Sequence, residues 1–248
     1  MKSKKIIFIS ALLVLSFSLM ACSIPVINVV RGSGVLATEN REVSDFDSVQ
    51  LDGAGKLVIT QGETTSLTIE AEDNIISSLK STVQGNTLVL GYEERFWQRA
   101  LLPTETIIYT LTVSDLNTIV FNGASDLEMD SFDTQSLSIT VNGAAQVTID
   151  NLTADSLRVQ INGTGTVSIG GEVISQKIGI DGTGTVQNGN LKTAQTEVEA
   201  NGLGIATVWA TESLDITFNG GGTLNYYGEP AIIQNINGAA DINSFGNK

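Results

Sequence analysis

The chain contains no histidine, one cysteine and three prolines among its 248 residues. Without histidine, Ser-His-Asp and Cys-His catalysis are excluded, and the commonest zinc ligand is missing. One cysteine forms neither an internal disulfide nor a thiolate cluster, which removes disulfide scaffolds and Cys-rich metal sites. Bases are scarce: 13 Lys and Arg stand against 27 Asp and Glu, a formal charge of −14. That balance opposes the phosphate backbone, so no nucleic-acid partner is expected. What the chain does have is 25 glycines, and 42% hydrophobic against 16% charged residues. The composition is globular and suits one or two domains.

The N-terminus reads as a secretory signal. Met1 to Lys5 is basic, and Ile6 to Met20 is apolar apart from Ser10, Ser16 and Ser18. The run is too short for a comfortable membrane span and ends in small residues. Leu19-Met20-Ala21-Cys22 resembles the lipobox of bacterial lipoproteins. The resemblance implies a signal peptide over 1–21, lipidation of the Cys22 sulfur and acylation of its new amino group. Several acyl chains make a stable membrane anchor, each buried CH₂ contributing about 0.8 kcal/mol. The membrane is therefore an expected partner, reached through a tether over 22–40. Loss of Lys2, Lys4 and Lys5 leaves 10 bases and 27 acids, a charge of −17, so the body should stand off anionic headgroups. The expected location is the bacterial cell envelope. In a double-membraned cell, Ser23 after the cysteine favours the outer membrane; otherwise the outer face of the cytoplasmic membrane applies. Gly32-Ser33-Gly34-Val35-Leu36-Ala37 fits a loose dinucleotide pattern, but no helical period follows it, and that fingerprint requires a helix at the glycines. No cofactor is expected.

The glycines belong to a repeat. Asn122-Gly123, Asn142-Gly143, Asn162-Gly163, Asp181-Gly182, Asn201-Gly202, Asn219-Gly220 and Asn237-Gly238 recur at a nearly constant step, which shortens slightly toward the C-terminus. An earlier copy, Asp52-Gly53, stands far upstream of the first. A fixed period of about 20 residues indicates a solenoid. Around each pair the apolar residues alternate, as in Leu137, Ile139, Val141 and then Val147, Ile149; this is a strand with one buried face. Asn-Gly between strands often marks a hairpin, but the chain returns to the same phase at every step, as a coil does. Asn and Gly are expected at these corners because they tolerate left-handed backbone, and stacked asparagines should form an amide ladder. A second corner is expected at Asp150-Asn151, Gly170-Gly171 and Asn188-Gly189-Asn190, with Leu152, Val173 and Leu191 pointing inward. Seven coils at the strand spacing predict a rod about 34 Å long. Strand edges at its C-terminal end could pair with another copy, so an oligomer is a candidate state.

Residues 41–115 are less regular and read as a capping region, since solenoid ends need caps. Asp73 to Lys80 has the start and spacing of a short helix. Tyr92 to Leu102, with Phe96 and Trp97 between Arg95 and Arg99, reads as a helix-like excursion or a loop over one end. The repeat solenoid is assigned to 116–245.

Arg41 to Val49, then Asp52-Gly53-Ala54-Gly55, Ile59-Thr60-Gln61-Gly62, Leu67 to Asn74 and Leu116 to Ser125, together resemble the bacterial GIN-domain family, named for the heads of autotransporter adhesins. The resemblance covers about 40–245. It implies an all-β, right-handed parallel β-helix on an envelope protein, often a lipoprotein, with no established catalytic residues. No autotransporter barrel follows residue 245, so the expected delivery is by the lipid anchor.

The remaining chemistry is sparse. Arg158, Lys177 and Lys192 fall in different coils and read as scattered. Asp126, Asp130, Asp133, Asp150 and Asp155 could converge across coils, but acidic solvent faces are ordinary. Calcium β-rolls carry Asp in every short repeat, whereas these corners carry Asn, so no metal is expected. Trp97, Trp209, Tyr226 and Tyr227 are candidates for stacking on a sugar. The resulting expectation is a non-catalytic binding, adhesion or structural module, its ligand an envelope polysaccharide or protein. The alternative is a polysaccharide-active enzyme working through surface carboxylates.

Overall fold

The computed structural model describes residues 28–93 and 99–248. The signal segment, Cys22, Phe96 and Trp97 lie outside the described residues. Two strands open the chain, β1 (Asn28–Arg31) and β2 (Leu36–Arg41), so the second half of the segment read as tether is structured. The capping region holds β3 (Ser48–Asp52), β4 (Ala54–Gln61), β5 (Ser66–Glu72), β6 (Leu79–Gln84), β7 (Thr87–Tyr92), β8 (Arg99–Leu102) and β9 (Ile108–Val113). Beyond it run β10 (Thr118–Phe121) and five full coils: β11 (Ala124–Val141), β12 (Ala144–Ile161), β13 (Thr164–Ile180), β14 (Thr183–Ala200) and β15 (Leu203–Phe218). The last coil is split into β16 (Gly221–Tyr227) and β17 (Ala231–Ile236), and β18 (Ala239–Ser244) ends the stack.

From β10 onward every pairing is parallel, so the hairpin alternative is excluded. Each coil runs from one Asn/Asp-Gly corner to the next, and equivalent residues of successive repeats become register partners. The result is a parallel β-solenoid of about 6 turns. It is shorter than seven coils because the Asn237-Gly238 corner opens a coil that contains only β18.

Alternation places one face of every strand inside. Ile139, Val159, Ile178, Val198 and Ile216 are stacked partners and all fully buried. Leu127, Val147, Val167, Val186, Ala206 and Leu224 form a second such row. Each large side chain so buried contributes roughly 1.5–3 kcal/mol. Leu152, Val173 and Leu191 are also buried, as the second corner requires. That corner is a bulge within a continuous strand, where the registers of β12–β13 and β13–β14 shift. Gly171, at φ +114°, makes the bulge in the coil that is one residue short.

The upstream Asp52-Gly53 copy joins the same stack. β3 pairs with β10, and β4 with β11, which places Asp52 beneath Asn122. The intervening chain builds the cap: β7 and β9 continue the parallel stack, whereas β6, β5 and β2 add antiparallel strands around them. β1 pairs separately with β8, in parallel. The expected helix at 73–80 is one 3₁₀ turn, Ile76–Ser78, without a side-chain N-cap; Leu79 already begins β6. Ile75 and Leu79 are buried, so that apolar spacing serves a tight turn into a strand.

The corner glycines are required for a different reason from the expected one. None of Gly123, Gly143, Gly163, Gly182, Gly202, Gly220 and Gly238 has a φ in the left-handed region. Instead, a Cβ on each would overlap the carbonyl oxygen of the corner glycine one coil earlier. The backbones are in contact there. Beside them runs the amide ladder. Asn162 Nδ2 donates to Asn142 Oδ1 and Asn142 to Asn122, at 2.8 Å each, and Asn122 to Asp52 at 2.6 Å. Asn237, Asn219 and Asn201 make an equivalent run at 3.1, 2.8 and 2.7 Å that ends on Asp181. Asp181 has no donor to pass on to Asn162. Gln160 Nε2 fills the gap, donating to Asn162 Oδ1 (3.0 Å) and Asp181 Oδ2 (2.9 Å).

Gly163→Ala should therefore destabilise by about 1–3 kcal/mol through overpacking. Asn162→Ala, which removes exposed hydrogen bonds, should cost about 0.5–1.5 kcal/mol. Urea unfolding of both variants checks the order.

Candidate functional site

The coils present outer rows of side chains one strand spacing apart, and open grooves run along them. The first, about 680 Å³, lies on the small row Ala54, Ala124, Ala144 and Thr164, walled by Pro103–Ile107. The second, about 650 Å³, crosses five coils on the other side of the corner. Its floor carries Ser136, Ser156, Ser175, Gln195 and Ser213 in register, and next to them Arg158, Lys177, Glu197 and Asp215. The third, about 550 Å³, contains Glu172 and Lys192, paired at 2.8 Å, beside the exposed Ile174.

This arrangement corrects the reading of the bases as scattered. Arg158 and Lys177 are register partners, because the step from one to the other is a single coil. Lys177 Nζ pairs with Glu197 Oε1 at 2.5 Å. Both side chains are about half-exposed, and such a pair contributes at most about 1 kcal/mol. Arg158 makes no ion pair among the described residues and donates to Gln160 Oε1, at 3.4 Å. The groove thus has an available guanidinium toward one end, an acid at Asp215 toward the other, and hydroxyls between. Glu197 and Asp215 are carboxylates on adjacent coils, with Glu197 held by Lys177. Among the described residues, no group of three metal-ligating side chains comes together.

The stacking candidates separate. Tyr226 faces inward and packs against the core, while Tyr227 faces out, since neighbouring residues of a strand alternate. Trp209 and Tyr227 are register partners on the outer face. Lys248 Nζ covers both rings, 5.5 Å and 5.0 Å from their centroids, and donates to the Gly189 carbonyl (2.7 Å) and Asn190 Oδ1 (2.5 Å). Phe245 meets Tyr227 edge-on at 5.4 Å. The pair is an aromatic surface already seated on an ammonium group.

Residues 45–230 match the family described as putative auto-transporter adhesin, head GIN domain. The chain belongs to this family. A putative adhesin of Bacteroides fragilis, 29% identical, superposes with a TM-score of 0.82 over 87% of this chain and 100% of that one. Two proteins of Parabacteroides distasonis share the fold, each match covering 88% of this chain. One is described as a putative adhesin (19% identity, TM-score 0.66, 100% of its own chain covered). The other is described as a putative lipid binding protein (18%, 0.61 and 99%). No curated protein matches the chain.

Two buried polar groups of this GIN domain have no counterpart in the repeat pattern. Inside the solenoid, Asn188 accepts from the Ile169 N–H (3.1 Å) and donates to Gln176 Oε1 (3.1 Å). Gln176 continues to Thr196, and Thr193, in contact with Thr196, donates to the Trp209 carbonyl (2.8 Å). This satisfied chain runs from the core to the backbone under the aromatic surface. At the cap, Glu72 is buried without a basic partner among the described residues. Its carboxylate accepts from the Gly34 N–H (2.8 Å), the Thr104 N–H (2.9 Å) and the Thr104 hydroxyl (2.5 Å). Thr104 stands in the wall of the first groove. No signal marks Glu72 in sequence: on β5 it shares the outward phase of Thr68 and Glu70, opposite the buried Leu67, Ile69 and Ala71, and yet it is buried.

The Thr104 hydroxyl, then the backbone N–H groups, hold the Glu72 carboxyl below its ordinary value of 4.5 against the opposing effect of burial. The folded state therefore binds this proton less readily than the unfolded chain, and the stabilisation is present above about pH 4.5. It is lost as pH falls through the depressed folded value. Protection of the Gly34 and Thr104 amides, taken relative to the intrinsic exchange rate at each pH, should fall on acidification below that point. Glu72→Gln should speed both amides at neutral pH and remove that pH dependence.

Proposed function

We propose that this GIN domain is a lipid-anchored binding or adhesion module of the bacterial cell envelope that holds an extended polar polymer without transforming it. The observation that carries this reading is the second groove, open along the solenoid, with a repeated hydroxyl row and the unpaired Arg158. A polymer lying along it meets one polar side chain of the Ser136, Ser156, Ser175, Gln195 and Ser213 row per coil, so modest contacts sum along its length. An envelope polysaccharide fits this chemistry better than a folded protein, because a row of hydroxyls recognises hydroxyls. The adhesin description of the Bacteroides fragilis relative supports the class of function and an envelope location. The absence of histidine supports binding rather than catalysis. Trp209 and Tyr227 are a second contact for a sugar ring, one that must displace Lys248.

Cys22 supplies the anchor in this proposal. Metabolic labelling with a fatty acid should mark the chain, and Cys22→Ser should abolish the label and release the protein from the membrane fraction. Retention of the label in Cys22→Ser would remove the anchor from the proposal.

The groove is tested with immobilised envelope polysaccharides, read by retained protein and by the release of new chain ends. Retention should fall about tenfold for Arg158→Ala, an effect of about 1.4 kcal/mol, close to the lower end of what a charged hydrogen bond contributes. It should change little for Asp130→Ala, outside the groove. Release of chain ends would replace the binding module with an enzyme. Retention indifferent to Arg158 would move the site elsewhere.

A further inference from the structure

The two ends of the solenoid are protected unequally. At the N-terminal end, the outer strands β2 and β6 carry Glu39, Arg41 and Lys80, charges of the kind that keep edge strands from pairing with another chain. At the C-terminal end, β17 reads Ala-Ile-Ile-Gln-Asn-Ile, without a charge or a proline. Among the described residues it pairs on one side only, with β15. All six of its residues are exposed. Ile232 and Ile236 continue the buried rows of Leu214 and Phe218, yet they are 40% and 37% exposed. The hydrogen-bond ladder and the core are both open here.

We propose that this end is a self-association surface, on which two copies meet tail to tail with their β17 strands antiparallel about a two-fold axis. The pairing would satisfy the free backbone groups of both strands and cover Ile232 and Ile236. Charge argues for a second copy. Residues 231–248 contain one acid, Asp241, and one base, Lys248, so the formal charge of −14 lies wholly outside them. Two such bodies repel along their flanks, and this neutral end is where they can come together. Shape argues the same way, since another open end has the same coil cross-section. The charged cap strands oppose head-to-tail stacking, which leaves a closed, isologous dimer in place of a fibre. The inference is independent of the lateral grooves.

The test uses the full chain carrying Cys22→Ser, so that an introduced cysteine is its only thiol. Asn235→Cys on β17 should give a covalent dimer with a flexible bis-maleimide. Thr82→Cys on the cap strand β6 should stay at least tenfold less linked under the same conditions. Adding Ile233→Lys, on the outer side of β17, should abolish the Asn235→Cys dimer while the circular dichroism remains that of a β-protein. Gln234→Lys, on the opposite side of the strand, should do the same. Equal linkage at the two ends, or linkage that survives both lysines, would overturn the proposal, as would an Asn235→Cys chain that stays monomeric.

Discussion

The spacing between hydrogen-bonded strands, about 4.8 Å, is the constraint from which the rest of this molecule follows. A parallel ladder holds every coil at that distance from the next at every point of its circuit, corners included. Along the faces the gap is filled by paired backbone groups, with side chains directed in or out. At the Asn-Gly corner it brings two backbones into direct contact, and a single methyl group at Gly143 or Gly182 would meet the carbonyl beneath it. The second corner has no such contact in every coil, and there the sequence drifts. Asp150-Asn151 and Gly170-Gly171 differ, and the registers shift between them. Short insertions and deletions are absorbed where the spacing permits a bulge.

The same spacing gives the amide ladder a direction. Every corner amide donates toward the N-terminal end, and Asn122, Asn142, Asn201 and Asn219 accept from the next asparagine on the C-terminal side. A run of this kind must finish on a group that needs no further acceptor. Asp52 and Asp181 are those groups, each closing a run of three asparagines. Gln50 Nε2 donates to both oxygens of Asp52, at 2.8 and 2.9 Å, and Gln160 reaches Asp181. What looks in the sequence like a conservative exchange of Asn for Asp is a change in hydrogen-bond inventory, from donor and acceptor to acceptor alone. It is accompanied by a glutamine that restores the missing donor.

These features separate what was legible in the sequence from what was not. The coil, its corners, the amide ladder and the inward phase of Leu152 and Leu191 all follow from period, because period is a property of one chain read in order. The cap was harder. Glu72, Thr104 and Gly34 meet across long stretches of chain with no repeat to align them, and the apolar spacing of Ile75, Ile76 and Leu79 suits either a helix or the tight turn that forms. The second groove was legible in principle: writing the coils one above another places Arg158 beside Lys177 and Glu197 beside Asp215. Read linearly, the same residues look dispersed. Asn188 and Gln176 sit at inward positions where the pattern calls for apolar residues, and their pairing appears only when the shifted registers of β13 and β14 are known.

The acidic balance bears on the groove less than its size suggests. A charge of −14 would seem to repel any anionic polymer, but at physiological ionic strength the field of an exposed charge is screened over about 8 Å. A ligand in the second groove therefore responds to what lies within about two coils of it. Near Arg158 that environment is a guanidinium, serines and the Lys177–Glu197 pair, which is neutral as a unit. Near Asp215 it is acidic. An extended ligand with a uniform charge would be favoured at one end and opposed at the other, whereas a neutral or zwitterionic polymer would be compatible with both. A ligand bound there would be selected by the arrangement of charge along the coil axis, a property that net charge does not contain.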